Sequence, residues 1–226
     1  MKSLRQRCAL AAAVTVAVLA PAPAGAASGF TPSSNPILFV HGWNSSASAW
    51  NTMIDRFKAD GWPAGHLRAF SYDTSKSNAT TADLVNQEAD RLRAETGASQ
   101  VDVITHSMGG LSSRYYLKNL GGTGEVDRWV SLGGPNHGTT TANSCFQTSC
   151  VEMRIGSDFL NALNSGDETP GSPGYGTWWS PCDTVIDPQD STVLSGAQNT
   201  KTACISHSAL LTDAKVYAQT RDFVNA

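Results

Sequence analysis

Charge is scarce in this sequence. Charged residues make up 15% of the chain, against roughly 25% in ordinary soluble proteins, and neither sign gathers into a block. The 16 Lys and Arg face 19 Asp and Glu, for a formal charge of −3. A protein that binds mainly to nucleic acid needs a basic face to neutralise phosphates, so that partner is excluded. Long apolar runs are scarce as well. The longest, Cys8 to Ala20, covers 13 residues with Thr15 as its one interruption, short of the roughly 20 that span a bilayer as a helix. Cysteine is sparse and odd in number, at five. Apolar material is not lacking: 40% of residues are hydrophobic, enough to build a core and exclude wholesale disorder. The 226 residues fit one domain.

The first 26 residues read as an address. Lys2, Arg5 and Arg7 form a basic start, the apolar run follows, and Ala22-Pro23-Ala24 and Ala24-Gly25-Ala26 offer small-residue exits. That order is the pattern of a secretory signal peptide, so export with cleavage near Ala26 is expected. Cleavage leaves residues 27–226 as the mature domain. It removes Lys2, Arg5 and Arg7 but no acid, so 16 basic residues fall to 13 against 19 acidic and the charge moves from −3 to −6. Cys8 goes with the leader. Cys145, Cys150, Cys182 and Cys204 remain, an even count that suggests two disulfides in an exported protein. The short Cys145–Cys150 spacing favours a local bridge and leaves Cys182 for Cys204. These spacings match no zinc pattern, and no metal is expected.

Along the mature chain, apolar patterns alternate between strand and helix periods. Pro36 to Val40 is a continuous apolar run ending at His41-Gly42, as in a buried parallel strand. Trp50, Met53, Ile54 and Phe57 mark one helix face, closed by Gly61. Strands are expected at 66–72, 101–105, 126–132, 177–180 and 202–206, with helices at 80–95, 108–120 and from about 211 to the end. This order predicts an α/β domain: a mostly parallel sheet with helices on both faces. Segment 139–175 breaks the alternation, rich in Gly, Ser, Thr, Asn and Pro with one helical island at 151–163. Connections of that length in compact domains are usually functional or mobile.

The expected strand at 101–105 runs directly into Thr105-His106-Ser107-Met108-Gly109-Gly110 and then a helix. Strand, x-H-S-x-G and helix in that order make a nucleophile elbow, with Thr105 where the pattern usually has glycine. The serine projects from a sharp turn, and Gly109 and Gly110 are small because strand and helix approach closely. A serine hydroxyl needs a base, and the base needs an acid to orient it. In the fold that uses this turn the chain order is Ser, acid, His. Only His137 and His207 follow Ser107. His207 lies between the last strand and last helix and is the expected base; His137 is the rival, otherwise a loop histidine bonded to backbone. Asp183 is the expected acid, with Asp187 and then Asp190 as alternatives. A Cys182–Cys204 bridge would tie the acid loop to the base loop. The backbone N–H groups of Trp43 and Met108 are the expected oxyanion donors, while His41 and His106 read as structural neighbours of the site.

With these residues in hand, the chain resembles the small secreted bacterial lipases and esterases of the α/β-hydrolase fold, the class 2 lipase group. The resemblance rests on Ile37-Leu38-Phe39-Val40-His41-Gly42-Trp43, Val103 through Gly110, Pro135-Asn136-His137-Gly138-Thr139, Asp183 and Ser206-His207. It implies a minimal single-domain hydrolase with an acyl-binding groove and little or no lid. Segment 139–175 departs from that pattern and leaves a partial cap as the alternative to an open groove.

The expected activity is that of a secreted, monomeric serine carboxylic-ester hydrolase, an esterase or triacylglycerol lipase, with Ser107, Asp183 and His207 as its triad. It takes a small ester or lipid substrate, at a lipid–water interface in the lipase case, and needs no cofactor. A polyester or cutin-type depolymerase, an acyltransferase or a peptidase could use the same triad. A non-catalytic binding protein on the same scaffold is the alternative of another class.

Overall fold

The computed structural model describes residues 35–226, and the expected leader lies outside them. Six strands form one sheet: β1 (Ile37–Val40), β2 (Leu67–Ala69), β3 (Val101–His106), β4 (Val126–Leu132), β5 (Gly174–Trp179) and β6 (Gln198–Lys201). Their order is β2-β1-β3-β4-β5-β6, and every neighbouring pair is parallel. β1 and β3 are buried along their whole length, as strands covered on both faces are. β1 is unbroken apolar, whereas β3 buries Asp102, which accepts from Arg128 N at 3.1 Å, and Thr105, which donates to Val130 O at 2.8 Å.

Side chains on β1 alternate between the faces, because the strand period is two. Leu38 and Val40 join the cluster containing Ala82, Val85, Ala89 and Leu92 of α2 (Asn78–Thr96) and Tyr116 and Leu117 of α3 (Gly109–Asn119). On the other face Phe39 packs against Trp50 and Phe57, with ring centroids 5.2 and 5.9 Å away. Phe57 belongs to α1 (Asn51–Ala59) and meets Tyr217 of α6 (Ala214–Val224) edge-on. Helices therefore cover both faces of an α/β sheet.

Several expected boundaries differ. β2 is confined to Leu67–Ala69 within the expected 66–72, and β5 begins at Gly174 rather than at 177. α2 starts at Asn78 rather than Thr80, because Ser77 caps it, its side chain accepting from Ala79 N at 3.1 Å. Glu152, from far along the chain, also accepts from Asn78 N at 2.6 Å. The single island expected at 151–163 is two short helices, α4 (Thr148–Glu152) and α5 (Asp158–Asn164). Gly156, in the left-handed region at φ 74°, separates them, and Ser157 caps the second. The last strand is at 198–201 rather than 202–206. It is a polar edge strand, and Ser180 Oγ pulls the chain after it off the sheet by donating to Ile205 O at 2.6 Å. The last helix starts at Ala214 rather than near Leu211, because Asp213 caps it, accepting from Lys215 N and Val216 N.

The carboxyl ends of β1, β3, β4 and β5 point to one edge, where parallel sheets place their sites. Segment 139–175 crosses that edge before returning to β5.

Candidate active site

Ser107 stands at the turn between β3 and α3 with φ at 54°. A side chain in that left-handed region is strained and is held only where its surroundings demand it. Here they do. Ser107 N donates to Leu132 O at 3.0 Å, and Gly110 N donates back to Ser107 O at 3.0 Å. The turn also leaves no room for neighbouring side chains. A Cβ on Gly109 would lie 2.5 Å from Val40 O, and one on Gly42 would lie 2.7 Å from Ser107 Cβ.

His207 Nδ1 donates to Asp183 Oδ2 at 2.7 Å. The other carboxylate oxygen of Asp183 accepts from Val185 N and Ile186 N at 2.8 and 2.9 Å. Burial alone would raise the Asp183 pKa, but these bonds and the charge of His207 hold it below the ordinary carboxylate value. The carboxylate is thereby kept ionised and fixed in direction. Cys182 is bridged to Cys204, with Cα atoms 4.9 Å apart, and Ser180 Oγ accepts from Ile205 N at 3.0 Å. The loops that carry Asp183 and His207 are thus fastened at two points. A second bridge joins Cys145 to Cys150.

Gly133, just past β4, is a participant that sequence reasoning missed. It adopts φ 58°, and a Cβ there would lie 2.7 Å from Leu210 Cδ1, 3.2 Å from His207 Nδ1 and 3.3 Å from Asp183 Oδ2. Only glycine fits beneath this histidine–aspartate pair.

His106 is buried against the site. Its Nε2 donates to His207 O at 3.1 Å, and the two imidazoles lie 4.4 Å apart. Burial and the proximity of His207 push its pKa down to about 3, which keeps it neutral. His41 stacks on Tyr72 at 4.2 Å, and the Tyr72 hydroxyl donates to His41 O at 2.5 Å. His41 Nδ1 lies 2.9 Å from Gly42 O; a carbonyl only accepts, so that nitrogen carries the proton. A trans peptide sets its C=O and N–H on opposite sides. Gripping Gly42 O therefore directs the Trp43 N–H the other way. Among the described residues, neither Trp43 N nor Met108 N donates to a protein acceptor.

Ser107, His106, His207 and Trp43 all line a cavity of about 470 Å³. Ala142, Met153, Val185, Ile186 and Leu211 give it apolar walls, and Thr139, Thr141, Ser144 and Cys145 bring segment 139–175 over one side. His137 does not reach it. Its Nδ1 faces Ser191 O at 3.2 Å and its Nε2 faces Glu168 at 2.7 Å. Asp187 accepts from Thr140 Oγ1 at 2.5 Å, away from His207, and Asp190 is exposed. No three His, Cys, Asp or Glu side chains converge as a metal site among the described residues.

The model of the family "Lipase (class 2)" matches residues 34–224. The chain belongs to the class 2 lipase family. It is a lipolytic hydrolase with the α/β-hydrolase architecture. The mature form of Bacillus licheniformis lipase BlEst2 superposes with a TM-score of 0.76 at 18% identity, over 87% of this chain and 94% of that one. Aspergillus fumigatus lipase B gives 0.72 at 16% identity, over 85% of this chain and 52% of the longer fungal one. The product of gene lin2722 from Listeria innocua gives 0.64 at 14% identity, over 84% and 93%. At these identities the likeness concerns the fold. Two disulfides fit an oxidising compartment such as the extracellular space, and no helix among the described residues is long and apolar enough to cross a membrane.

Proposed function

We propose that this class 2 lipase is a secreted serine carboxylic-ester hydrolase that works through an acyl-enzyme on Ser107. One observation carries the reading. A serine held in a left-handed turn and His207, which is bonded behind to Asp183, face the same apolar-walled cavity.

The ester enters with its acyl chain along the apolar wall. His207 Nε2 takes the Ser107 proton as Ser107 Oγ attacks the carbonyl carbon, and Asp183 holds the imidazole with Nδ1 protonated and stabilises its charged form. The carbonyl oxygen becomes an oxyanion between the N–H groups of Trp43 and Met108, at the amino end of α3 where the helix dipole favours negative charge. The tetrahedral intermediate collapses, the alcohol leaves with a proton from His207, and Ser107 carries the acyl group. Water, deprotonated by His207, then attacks the acyl-enzyme, and collapse frees the acid and returns the proton to Ser107. Every step uses groups of the protein and water.

Segment 139–175 forms a partial cap over one side of the cavity. Trp43 and Val185 on the cavity lining and Phe146 beside it are exposed, an apolar rim suited to an oil surface. A series of p-nitrophenyl esters from acetyl to palmitoyl, with and without an emulsified triacylglycerol, tests the reading. Turnover by the parent and its loss in Ser107→Ala is the expected result. Undiminished turnover by Ser107→Ala overturns it.

A further inference from the structure

We infer that Gln147 is a positioning residue for the oxyanion turn: from the disulfide-closed loop it holds the Trp43 indole, and with it the Trp43 backbone N–H. The inference rests on the reading of that N–H as an oxyanion donor.

Trp43 is 40% exposed, so water could satisfy its indole N–H. Instead Nε1 donates to Gln147 Oε1 at 2.8 Å, across 104 residues of chain. Gln147 is itself held in place. The Cys145–Cys150 bridge closes the loop around it, with Cα atoms 5.8 Å apart. Arg154 Nη2 donates to Cys145 O at 2.8 Å, fastening the base of the loop.

A second path links the same two segments. Ser149 Oγ donates to Thr74 O at 2.6 Å, and Thr74 Oγ1 accepts from Asn44 N at 3.1 Å. Asn44 sits at φ 52°, a left-handed conformation that asparagine tolerates better than most residues. Trp43 is thus bonded to the disulfide loop directly, and Asn44 through Thr74. On the inner side, His41 grips Gly42 O. With the carbonyl held on one side and the indole on the other, the Trp43 N–H keeps one direction, the preorganisation that oxyanion stabilisation needs. The loop at 145–150 therefore acts as a brace, since swinging away as a lid would break the Trp43 and Thr74 bonds.

The test uses the secreted chain with both disulfides formed. Gln147→Leu removes the acceptor, Gln147→Glu keeps an acceptor oxygen, and Trp43→Phe removes the indole donor while leaving the backbone N–H. kcat and KM are measured on a soluble p-nitrophenyl ester and expressed per active site titrated with a fluorophosphonate. Loss of a whole oxyanion donor costs about 10²–10³ in kcat, so misdirecting one is expected to cost about tenfold. KM is expected to stay within about twofold, because the interaction is made in the transition state. Gln147→Glu is expected to recover most of the rate. The Trp43→Phe, Gln147→Leu double variant is expected to be no slower than either single one, as for two partners of one bond. Parent kcat per titrated site in Gln147→Leu, equal losses in the Leu and Glu variants, or losses that multiply in the double variant would each overturn the inference. A silent Gln147→Leu beside an inactive Ser107→Ala removes only the role of Gln147. Full turnover by Ser107→Ala removes the underlying reading and this inference with it.

Discussion

His207 and Asp183 meet through one hydrogen bond, Nδ1 to Oδ2 at 2.7 Å, while the other Asp183 oxygen is occupied by two backbone N–H groups. The carboxylate has no freedom to rotate, so the imidazole is held in one tautomer. Replacing Asp183 with Asn keeps the shape but removes the charge and offers an amide donor to Nδ1. We expect kcat to fall about 10³–10⁴-fold with the fold retained. Steady-state kinetics beside a circular dichroism spectrum will check this; a loss under tenfold would remove Asp183 from the triad.

Gly133 supports that pair from below. Gly133→Ala places a methyl 2.7 Å from Leu210 Cδ1 and 3.2 Å from His207 Nδ1 at a backbone angle that alanine disfavours. Left-handed strain of about 1 kcal/mol or more corresponds to a fall of about 2–4 °C or more in Tm for a domain of this size. kcat is expected to fall with it, because His207 must move. Thermal unfolding and kinetics on the same preparation test the prediction, which fails if both match the parent.

Stability is expected to decline on the acid side in two stages. His106 has a folded pKa of about 3 against an ordinary 6.5. Below pH 6.5 the unfolded chain takes up this proton and the folded one does not, so stability is lost from there down toward pH 3. Asp183 is shifted below its ordinary value of 3.8. Its contribution is present above 3.8 and is lost as pH falls through its lower folded pKa. His106→Gln keeps a donor for His207 O and is expected to flatten the Tm profile between pH 6.5 and 4.5. A slope equal to the parent's over that window would contradict this.

The two disulfides are expected to differ in effect. Cys182–Cys204 closes 22 residues between the loops of Asp183 and His207, and removing such a bridge costs about 3 kcal/mol on the chain-entropy argument. Cys182→Ser with Cys204→Ser is expected to lower Tm and also kcat at temperatures where the protein stays folded, because both loops gain freedom. Unchanged kcat with a lowered Tm would make the bridge purely a stabilising element.

Much of this was legible in the chain itself, for identifiable reasons. β1 is buried on both faces and is an unbroken apolar run, β3 is a mostly apolar one, and Ser107 follows β3 into a glycine-marked helix start. β6 escaped because Gln198-Asn199-Thr200-Lys201 is a polar edge with no apolar alternation to read. The start of α2 is only partly legible, because Glu152, which fixes it together with the Ser77 cap, comes from 74 residues away. Gly133 gave no signal, since two adjacent glycines after a strand read as any loop. The bond between Trp43 and Gln147 likewise depends on tertiary placement.

The proposed reaction depends above all on Ser107 being an activated nucleophile. The most direct measurement is fluorophosphonate labelling of the folded protein, with the modified site located by peptide mass spectrometry. The expected result is one adduct per chain, on Ser107, with ester turnover lost in proportion. Labelling that fails, that falls on another residue, or that leaves turnover intact would contradict the account.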